Sequence, residues 1–344
     1  MNKDFKLEHG NCLEVLKKYP DNHFDSIVTD PPYGIGFMGK EWDHGVPSKE
    51  IWAECLRVLK AGGHMIAFAG TRTQHRMACN IEDAGFEIRD MGGWLYGSGF
   101  PKSLNIEKSL KKKGIETDLK GITGTALKPA LEPFTIARKP LSEKTIAENV
   151  LVNGVGGINI DDCRIPTDEK LGRIATEQKE KTSYSMHKES KEFNNSDLKG
   201  CRFPANLIHD NSDPIVDILG EKTKYFYSPK TSKKDRNEGL DDFEDKQTIG
   251  GGGTNGDVAK AYGSVKAVAK NNHPTVKPTD LMAYLCRLVT PENGLILDPF
   301  LGSGSTLKAA AREGFKGVGI DLDAEYLEIA KARIEFELNK KDDK

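Results

Sequence analysis

Residues 295–306 read LILDPFLGSGST, and the architecture of the chain can be worked out from this segment. Leu295–Leu297 is a short apolar run that predicts a buried strand, and Thr306–Glu313 predicts a helix. The turn between them is rich in glycine, so its backbone can bend tightly and approach a ligand closely. The first turn of the following helix presents unpaired N–H groups to that ligand. This order of elements predicts an α/β fold with a ligand site at the turn.

An acidic residue follows the glycine turn at the spacing of a nucleoside site. Asp321 lies roughly twenty residues further on, at the end of the predicted strand Gly317–Asp321. A carboxylate at this place can accept hydrogen bonds from ribose hydroxyls. Leu307 stands where the dinucleotide fingerprint has its third glycine, which disfavours a nicotinamide or flavin cofactor. A plain tight turn is the alternative interpretation, and Asp321 argues against it.

A second segment, Asp30-Pro31-Pro32-Tyr33, follows the predicted strand 25–29. Proline fixes the backbone and has no N–H, so local carbonyl groups stay free to accept hydrogen bonds. The exocyclic amine of a nucleobase is a poor nucleophile because its lone pair is drawn into the ring. If the Asp30 carboxylate and the Pro31 carbonyl accept its two hydrogens, the lone pair can be directed at a methyl donor. Tyr33 offers a flat face for the base, although this tetrapeptide alone would fit a surface turn equally well.

Strand-like and helix-like segments alternate at both ends of the chain, as in a mostly parallel sheet covered by helices. Residues 1–141 and 272–344 carry this pattern. Residues 142–271 differ, with interrupted apolar runs, polar clusters and the tract GGGGTNG at 250–256, which is typical of a flexible loop. We therefore expect one α/β domain in two halves, a catalytic half and a cofactor-binding half, with a middle region inserted between them.

The two motifs together resemble those of the amino-directed DNA methyltransferases, which act on N6 of adenine or N4 of cytosine. In that family the DPPY segment holds the target amine and the DPFxGxGT segment holds S-adenosylmethionine. A third segment, HPTVKP at 273–278, resembles the family element that holds the methionine end of the cofactor. The catalytic motif comes first and the cofactor motif last, which is the order of the family's beta group. The resemblance implies a circularly permuted, Rossmann-like class I methyltransferase fold with a mixed, mostly parallel sheet and an inserted target-recognition region.

The resemblance also implies roles for individual residues. Asp30, Pro31, Pro32 and Tyr33 are the expected catalytic residues, and no metal is required. At position 11 the family usually has an aspartate that contacts the cofactor adenine, whereas this chain has Asn11, whose amide can donate as well as accept. The expected cofactor-binding residues are Asn11, Cys12, Asp30, His273, Thr275, Lys277, Asp298, Phe300, Gly302, Ser303, Gly304, Ser305, Asp321 and Leu322.

The expected reaction is methyl transfer from S-adenosylmethionine to N6 of adenine in double-stranded DNA, because aspartate rather than serine at position 30 is the family habit for adenine. N4 of cytosine is the alternative. An RNA or protein methyltransferase would keep the cofactor pocket and differ in the middle region. A catalytically silent DNA-binding regulator would need a damaged motif, and residues 30–33 are intact. Carbon-5 cytosine methylation is disfavoured because the Pro-Cys dipeptide of that family is absent from the chain.

Reaching the target base and recognising the DNA sequence require residues beyond these three motifs. The target amine is hidden within a duplex, so we expect the nucleotide to be rotated out at a cost of a few kcal/mol. Residues 34–39 read GIGFMG and predict a loop over the base, where Phe37 or Trp42 would stack, unless these aromatics serve ordinary packing. The polar and basic residues of 142–271 are expected to choose the DNA sequence. Residues 36–43 and 225–230 resemble phage- and prophage-type members.

Composition sets the remaining bounds. The 344-residue chain has a net charge of −2 and 30% charged residues, as in a globular protein. Positive charge can still be local, and the lysine-rich runs 102–113 and 222–236 would either contact DNA phosphates or form solvated faces. Six cysteines without a CxxC pair predict reduced thiols, and the absence of a signal peptide predicts a cytoplasmic location. No apolar stretch is long enough to cross a bilayer. The sequence leaves open whether the protein is a homodimer and whether a cognate restriction endonuclease exists.

Overall fold

The computed structural model describes residues 3–36, 43–97, 99, 103–119, 123–167, 201–229, 234–248 and 267–342. In this part of the chain the strands are β1 (Phe5–His9), β2 (Phe24–Thr29), β3 (Leu59–Phe68), β4 (Glu87–Leu95), β5 (Leu131–Arg138), β6 (Ile165–Pro166), β7 (Cys201–Arg202), β8 (Leu207–His209), β9 (Lys246–Thr248), β10 (Ala267–Ala269), β11 (Leu295–Asp298) and β12 (Lys316–Asp321). The α-helices are α1 (Cys12–Leu16), α2 (Lys49–Val58), α3 (Gln74–Asp83), α4 (Ile106–Lys111), α5 (Ile146–Asn153), α6 (Asp213–Leu219), α7 (Thr279–Val289), α8 (Ser305–Glu313) and α9 (Ala324–Asp342).

One sheet of eight strands, in the order β1-β12-β11-β2-β3-β5-β4-β8, organises the described residues. β5 is antiparallel to both of its neighbours, and the other neighbouring pairs are parallel. The expected mixed, mostly parallel α/β fold is therefore confirmed. β11 lies between β12 and β2, with Leu297 opposite Ile27. The two ends of the sequence thus share one sheet, as the permuted order of the motifs requires.

The direction of the chain connections reverses between β11 and β2. From β11 the chain passes through α8 to β12 on one side, and from β2 it passes through α2 to β3 on the other side. The loops that follow these strands diverge and leave a crevice at their carboxyl ends, which is where α/β proteins bind ligands. Asp298 ends β11 and Asp30 follows β2. Both sequence motifs therefore lie at the same crevice.

Helices cover both faces of the sheet, so its central strands are buried on both sides. Neighbouring residues of β11 point to opposite faces, with Ile296 in one apolar cluster and Leu297 in the other. Leu281 of α7 and Ala310 of α8 belong to the first cluster, and Trp52 of α2 belongs to the second. All five side chains are fully buried. These two cores hold the strand ends, and hence the motif loops, in a fixed relation.

The sequence does not predict β5, because Pro133 lies within it and proline argues against a central strand. The structure pairs Pro133 with Gly93 of β4, and the Pro133 carbonyl accepts a hydrogen bond of 2.9 Å from the N–H of Ala69. This bond needs only the carbonyl of the proline. The antiparallel strand is therefore compatible with the residue that masks it in the sequence.

Parts of the middle region pack on the sheet and its helices. β8 extends the sheet by pairing with β4, while β6 pairs with β7 and β9 pairs with β10. Asn149 of α5 is fully buried and donates hydrogen bonds to the carbonyl oxygens of Ala61 and Val155, at 2.8 and 2.7 Å. The glycine tract at 250–256 lies outside the described residues. Within the described ranges, no helix has the length and apolar character needed to span a bilayer.

Candidate active site

A cavity of about 1270 Å³ opens at the crevice between β11 and β2. Its lining comes from both motif loops, from the start of α1 and from the segment 273–278 before α7. Every residue expected to act in catalysis or cofactor binding contributes to this lining except Gly304. A cavity of this size can hold a nucleoside cofactor beside a nucleobase.

Asp298 joins the two central strands at the floor of the cavity. Its Oδ1 accepts a hydrogen bond of 2.7 Å from the Thr29 hydroxyl on β2 and one of 3.2 Å from the N–H of Phe300. Burial raises the pKa of Asp298 to about 6, although hydrogen bonds from Thr29 and Thr306 act in the opposite direction. Asp298 therefore bonds the two strands together. It also places a carboxylate beside the loop 298–306, the cofactor loop.

Two glycines of the cofactor loop adopt left-handed backbone conformations, which side chains disfavour. Gly302 has a φ of +52°, and a Cβ there would lie 2.8 Å from Nε2 of His273. Gly304 has a φ of +80°, and a Cβ there would lie 2.7 Å from Cβ of Ala330. Gly302 thus packs against the segment before α7, while Gly304 packs against α9. This explains why Gly304 does not line the cavity although it belongs to the motif.

Asp321 holds the cofactor loop in its bent form. Its Oδ2 accepts a hydrogen bond of 2.7 Å from the N–H of Gly302, and its Oδ1 accepts one of 2.8 Å from the N–H of Asp323. Burial raises the pKa of Asp321. Each carboxylate oxygen has a second lone pair, so the ribose contact expected from the sequence is compatible with these bonds. Leu322 beside it is 61% exposed and gives the cavity an apolar rim.

Asn11 and Cys12 form a wall of the cavity at the start of α1. The side-chain oxygen of Asn11 accepts a hydrogen bond of 2.9 Å from the N–H of Leu13, so it caps this helix. Its amide nitrogen is the group left to contact a cofactor adenine. Burial raises the pKa of Cys12 to about 11, so the thiol stays protonated at neutral pH. Cys12 can therefore pack against a ligand but is no nucleophile.

His273 and Thr275 form the wall of the cavity next to the cofactor loop. Nδ1 of His273 lies 3.1 Å from the carbonyl oxygen of Thr275, and its ring packs edge-on against Tyr326, with the ring centres 4.6 Å apart. Burial lowers the pKa of His273 to about 4. The ring is therefore neutral at physiological pH and acts as a packing surface for Gly302.

The catalytic motif forms a closely bonded polar cluster. The Tyr33 hydroxyl donates a hydrogen bond of 2.7 Å to Oδ1 of Asp30, and Nζ of Lys277 donates one of 2.6 Å to Oδ2. Lys277 also lies 3.0 Å from the carboxylate of Glu132 and 3.0 Å from the Tyr33 hydroxyl. The Thr73 hydroxyl bonds the Tyr33 carbonyl at 2.6 Å and so holds the backbone of the motif.

Buried charge dominates this cluster. The side chain of Lys277 is only 6% exposed, and those of Asp30 and Glu132 are 17% and 23% exposed. Burial alone would lower the pKa of Lys277, but the charges of Asp30 and Glu132 outweigh it and raise that pKa. Burial raises the pKa of Tyr33 well above its ordinary value, and the same two carboxylates add to this effect. The cluster is therefore one ammonium, two carboxylates and a neutral phenol.

Sequence reasoning missed two residues of the site. Glu132, near the start of β5, belongs to no motif, and its position beside Asp30 depends on an unexpected strand. Arg333 of α9 is fully buried, and its Nη1 donates a hydrogen bond of 2.7 Å to the carbonyl oxygen of Ser303 in the cofactor loop. Burial lowers the pKa of Arg333 to about 10. An arginine on a predicted helix carries no sequence signal for such a role.

Asp43 holds the start of the loop that follows the catalytic motif. Asp43 is 1% exposed, and its carboxylate oxygens accept hydrogen bonds of 2.8 and 3.3 Å from the N–H groups of Gly34 and Ile35. Phe37 and Trp42, expected to stack on the base, lie outside the described residues, as do residues 37–42 as a whole.

The lining of the cavity fits S-adenosylmethionine. Asp30, Asp298 and Asp321 supply carboxylates suited to a positively charged sulfur, an amino group and ribose hydroxyls, and Phe300 and Leu322 supply apolar surface for a purine. The bent glycine loop brings backbone N–H groups to the start of α8. In the described part of the chain, no group of His, Cys, Asp and Glu side chains could hold a metal ion.

Comparison with known proteins gives the family. Residues 24–332 match the N6/N4 DNA methylase family. The type II methyltransferase M.ScaI of Streptomyces caespitosus is 39% identical over 337 residues, which cover 97% of this chain and 82% of M.ScaI. The type II methyltransferase M.HpaI of Haemophilus parainfluenzae is 35% identical over 344 residues, which cover 98% of this chain and 76% of M.HpaI. Among solved structures, the cytosine-N4-specific PvuII DNA methyltransferase has 16% identity and a TM-score of 0.48, with 98% of this chain and 94% of that chain covered.

The family match spans most of the sequence, and its two motifs meet in one cavity. The expected family, its methyl donor and its action on DNA are confirmed. This chain belongs to the N6/N4 DNA methylase family and is an S-adenosylmethionine-dependent DNA amino-methyltransferase.

Proposed function

We propose that the chain methylates N6 of adenine in double-stranded DNA, with Asp30 and the Pro31 carbonyl holding the amine. One observation carries this proposal. Asp30 and the loop 298–306 follow neighbouring parallel strands and line a single cavity, so an amine at Asp30 is beside the cofactor loop. Aspartate at position 30 supports adenine over cytosine, by the resemblance to adenine-directed members of the family.

The protein's own groups act on the amine. When bound, S-adenosylmethionine would supply an electrophilic methyl carbon, whose bond to the positively charged sulfur breaks as the bond to the amine nitrogen forms. Asp30 and the Pro31 carbonyl accept the two amine hydrogens, which directs the nitrogen lone pair away from the ring. The methylated amine then releases one of these protons, and the Asp30 carboxylate is the base within reach. His273, Thr275, Asp298, Ser303 and Asp321 would hold the cofactor.

Tyr33 would hold the base after it leaves the helix. Rotating a nucleotide out of a duplex costs a few kcal/mol, and stacking on an aromatic side chain returns about 1–3 kcal/mol per base. Tyr33 is the aromatic residue of the motif, and it lines the cavity next to Asp30. The hydrogen bond from the Thr73 hydroxyl to the Tyr33 carbonyl fixes the backbone from which the ring reaches the base.

Nucleoside mass spectrometry tests the choice of base. DNA would be isolated from a methylation-deficient host that expresses the chain, and from the same host with an Asp30→Ala variant as control. We expect N6-methyladenine only with the unaltered chain. N4-methylcytosine in its place would overturn the adenine proposal and leave the family assignment intact. Sequencing that detects modified bases would then give the recognised site.

We also propose that most of the middle region, residues 142–271, chooses the DNA sequence. Its insertion between the motifs and its polar, basic composition support this assignment. Replacing the region with that of a relative that modifies another site should transfer the recognised site. An unchanged site would remove the assignment.

The sequence leaves a cognate restriction endonuclease and a homodimer open, and experiment decides both. The type II relatives support the former. DNA methylated by the chain should resist one restriction enzyme with the same recognised site, and light scattering would report one chain or two.

A further inference from the structure

The segment from Asp235 to Leu240 belongs to the middle region, yet it packs on the cofactor-binding half of the domain. Leu240 is fully buried in a small apolar cluster with Tyr326 and Ile329 of α9. Gly239 precedes it with a φ of +83°, and a Cβ there would lie 2.6 Å from Cβ of Phe336. The close approach fixes this segment against α9.

Arg236 holds the start of the element 273–278. Its Nε donates a hydrogen bond of 3.1 Å to the carbonyl oxygen of Asn271, and its Nη2 donates one of 2.6 Å to the carbonyl oxygen of His273. Asn271 is fully buried and donates through Nδ2 to the Arg236 carbonyl at 3.1 Å. The N–H of Asn271 also donates to Oδ1 of Asn237 at 3.2 Å. Each of the two segments therefore donates hydrogen bonds to the other, and every one of these bonds joins a side chain to a backbone group.

Asp235 holds the other end of the same element. Its carboxylate accepts hydrogen bonds of 2.7 Å from the N–H and 2.6 Å from the hydroxyl of Thr279, the first residue of α7. The same carboxylate pairs at 2.7 Å with the fully buried ammonium of Lys308, which also lies 2.9 Å from Glu238. Four consecutive residues, 235–238, thus bind both sides of the element 273–278 and helix α8.

Two residues inside this element touch the active site. The ring of His273 lies against Gly302 of the cofactor loop, where even one added carbon would be 2.8 Å from Nε2. Lys277 reaches Asp30 at 2.6 Å. A shift of the element by a fraction of an ångström would therefore disturb both the wall of the cofactor loop and the cation beside the catalytic carboxylate.

We propose that residues 235–240 are a clasp that positions the element 273–278, and through it ties the middle region to cofactor binding. The inference rests on the proposed roles of His273 and Lys277. Arg236 and Asp235 act as positioning residues, since they reach the active site only through that element. The planar fork of arginine presents Nε and Nη2 to the two carbonyl oxygens in a fixed geometry, which the compact ammonium of a lysine on its flexible stem lacks.

Arg236→Gln tests the clasp in the full-length protein. S-adenosylmethionine affinity would be measured by calorimetry without DNA, beside the thermal unfolding of each variant. We expect a folded variant whose affinity falls about tenfold, equivalent to about 1.4 kcal/mol. Arg236→Lys should recover part of the loss. Arg164→Gln is the matched control, because Arg164 is also an arginine of the middle region and its ion-pair partner, Asp161, has an 86% exposed side chain. This variant should bind the cofactor as the wild type does.

Wild-type affinity in folded Arg236→Gln would overturn the clasp. If Arg236→Gln does not fold, Arg236→Lys carries the test. Its affinity for S-adenosylmethionine should fall about threefold, as expected from one missing hydrogen bond of modest strength. Wild-type affinity in this variant would be the contrary result. Because no DNA is present, the outcome is independent of which base the enzyme methylates.

Discussion

The ammonium of Lys277 lies 2.6 Å from Oδ2 of Asp30, although 247 positions separate the two residues in the chain. The same ammonium lies 3.0 Å from Glu132. One cation therefore serves two carboxylates beside the proposed amine site, and it comes from the segment that also walls the cofactor loop. This contact joins the two ends of the sequence, residues 1–141 and 272–344, whose strands share one sheet.

Lys277→Met should destabilise the protein strongly. The substitution leaves Asp30 and Glu132 largely buried without their shared cation, and losing one partner of a buried ion pair costs about 3–5 kcal/mol. Lys17→Met is the control, because its pair with Glu14 is more than half exposed and such pairs contribute about 0–1 kcal/mol. Urea unfolding measures both free energies. Similar losses in the two variants would contradict a buried ionic cluster.

Asp30→Ala should reduce methyl transfer by at least about 10²-fold while cofactor binding largely survives, because the amine loses its acceptor. Transfer of labelled methyl groups to mixed DNA measures the first effect, and calorimetry measures the second. Asp21→Ala removes a 68% exposed carboxylate and should leave both unchanged. Equal turnover of Asp30→Ala and the wild type would show that this carboxylate does not act on the amine.

Tyr33→Phe and Tyr33→Ala should separate stacking from hydrogen bonding. Phenylalanine keeps the ring and loses only the hydroxyl that bonds Asp30, so KM for DNA should stay near that of the wild type. Alanine also loses stacking worth about 1–3 kcal/mol per base, so KM should rise about 5- to 150-fold. Steady-state kinetics measures both variants, with Tyr19→Phe as control because its hydroxyl bonds Glu8. The same KM in both Tyr33 variants would rule out stacking on this ring.

Asp298→Asn should change how stability depends on pH. The pKa of Asp298 is about 6 in the folded protein, against an ordinary 3.8, because the side chain is buried. Between these values the folded protein holds a proton that the unfolded chain has released, so this group's contribution to stability falls as the pH rises. The unfolding free energy of the variant, relative to the wild type, should therefore increase by up to about 3 kcal/mol from pH 4 to pH 7.

Urea unfolding at several pH values measures this difference, and subtracting the wild type removes the contributions of the buried histidines. A constant difference between Asp298→Asn and the wild type across this range would contradict the raised pKa.

Gly304→Ala should destabilise the domain by at least about 2 kcal/mol, since a left-handed backbone and a crowded Cβ each carry a penalty. The new carbon would lie 2.7 Å from Ala330 of α9. Gly157→Ala is the matched control, because nothing lies within 4 Å of its Cβ position, and a change within about 0.5 kcal/mol is expected. Thermal unfolding compares them, and a stable Gly304→Ala would show that α9 does not restrict the loop.

Much of the fold could be predicted because its signals are local. The apolar run before Asp298, the glycines after it and Asp321 at the end of the next strand are each recognisable within a short window. The expected strands 25–29 and 317–321 correspond to β2 and β12 within a residue. Motif order then placed the two ends of the chain in one sheet, since parallel strands that share a ligand must end at the same edge.

The remaining features depend on contacts between distant residues, which leave no periodic trace. Pro133 conceals β5 in the sequence, and without β5 the position of Glu132 beside Lys277 is invisible. Asp235 and Arg236 look like surface charges in a lysine-rich run, yet they bind the backbone around 271–279. The residue types and their order thus specify a methyl-transfer chemistry and its scaffold. Only the packing of the sheet and helices decides which buried charges meet, because a charge finds its partner through the closed fold and not through its neighbours in the chain.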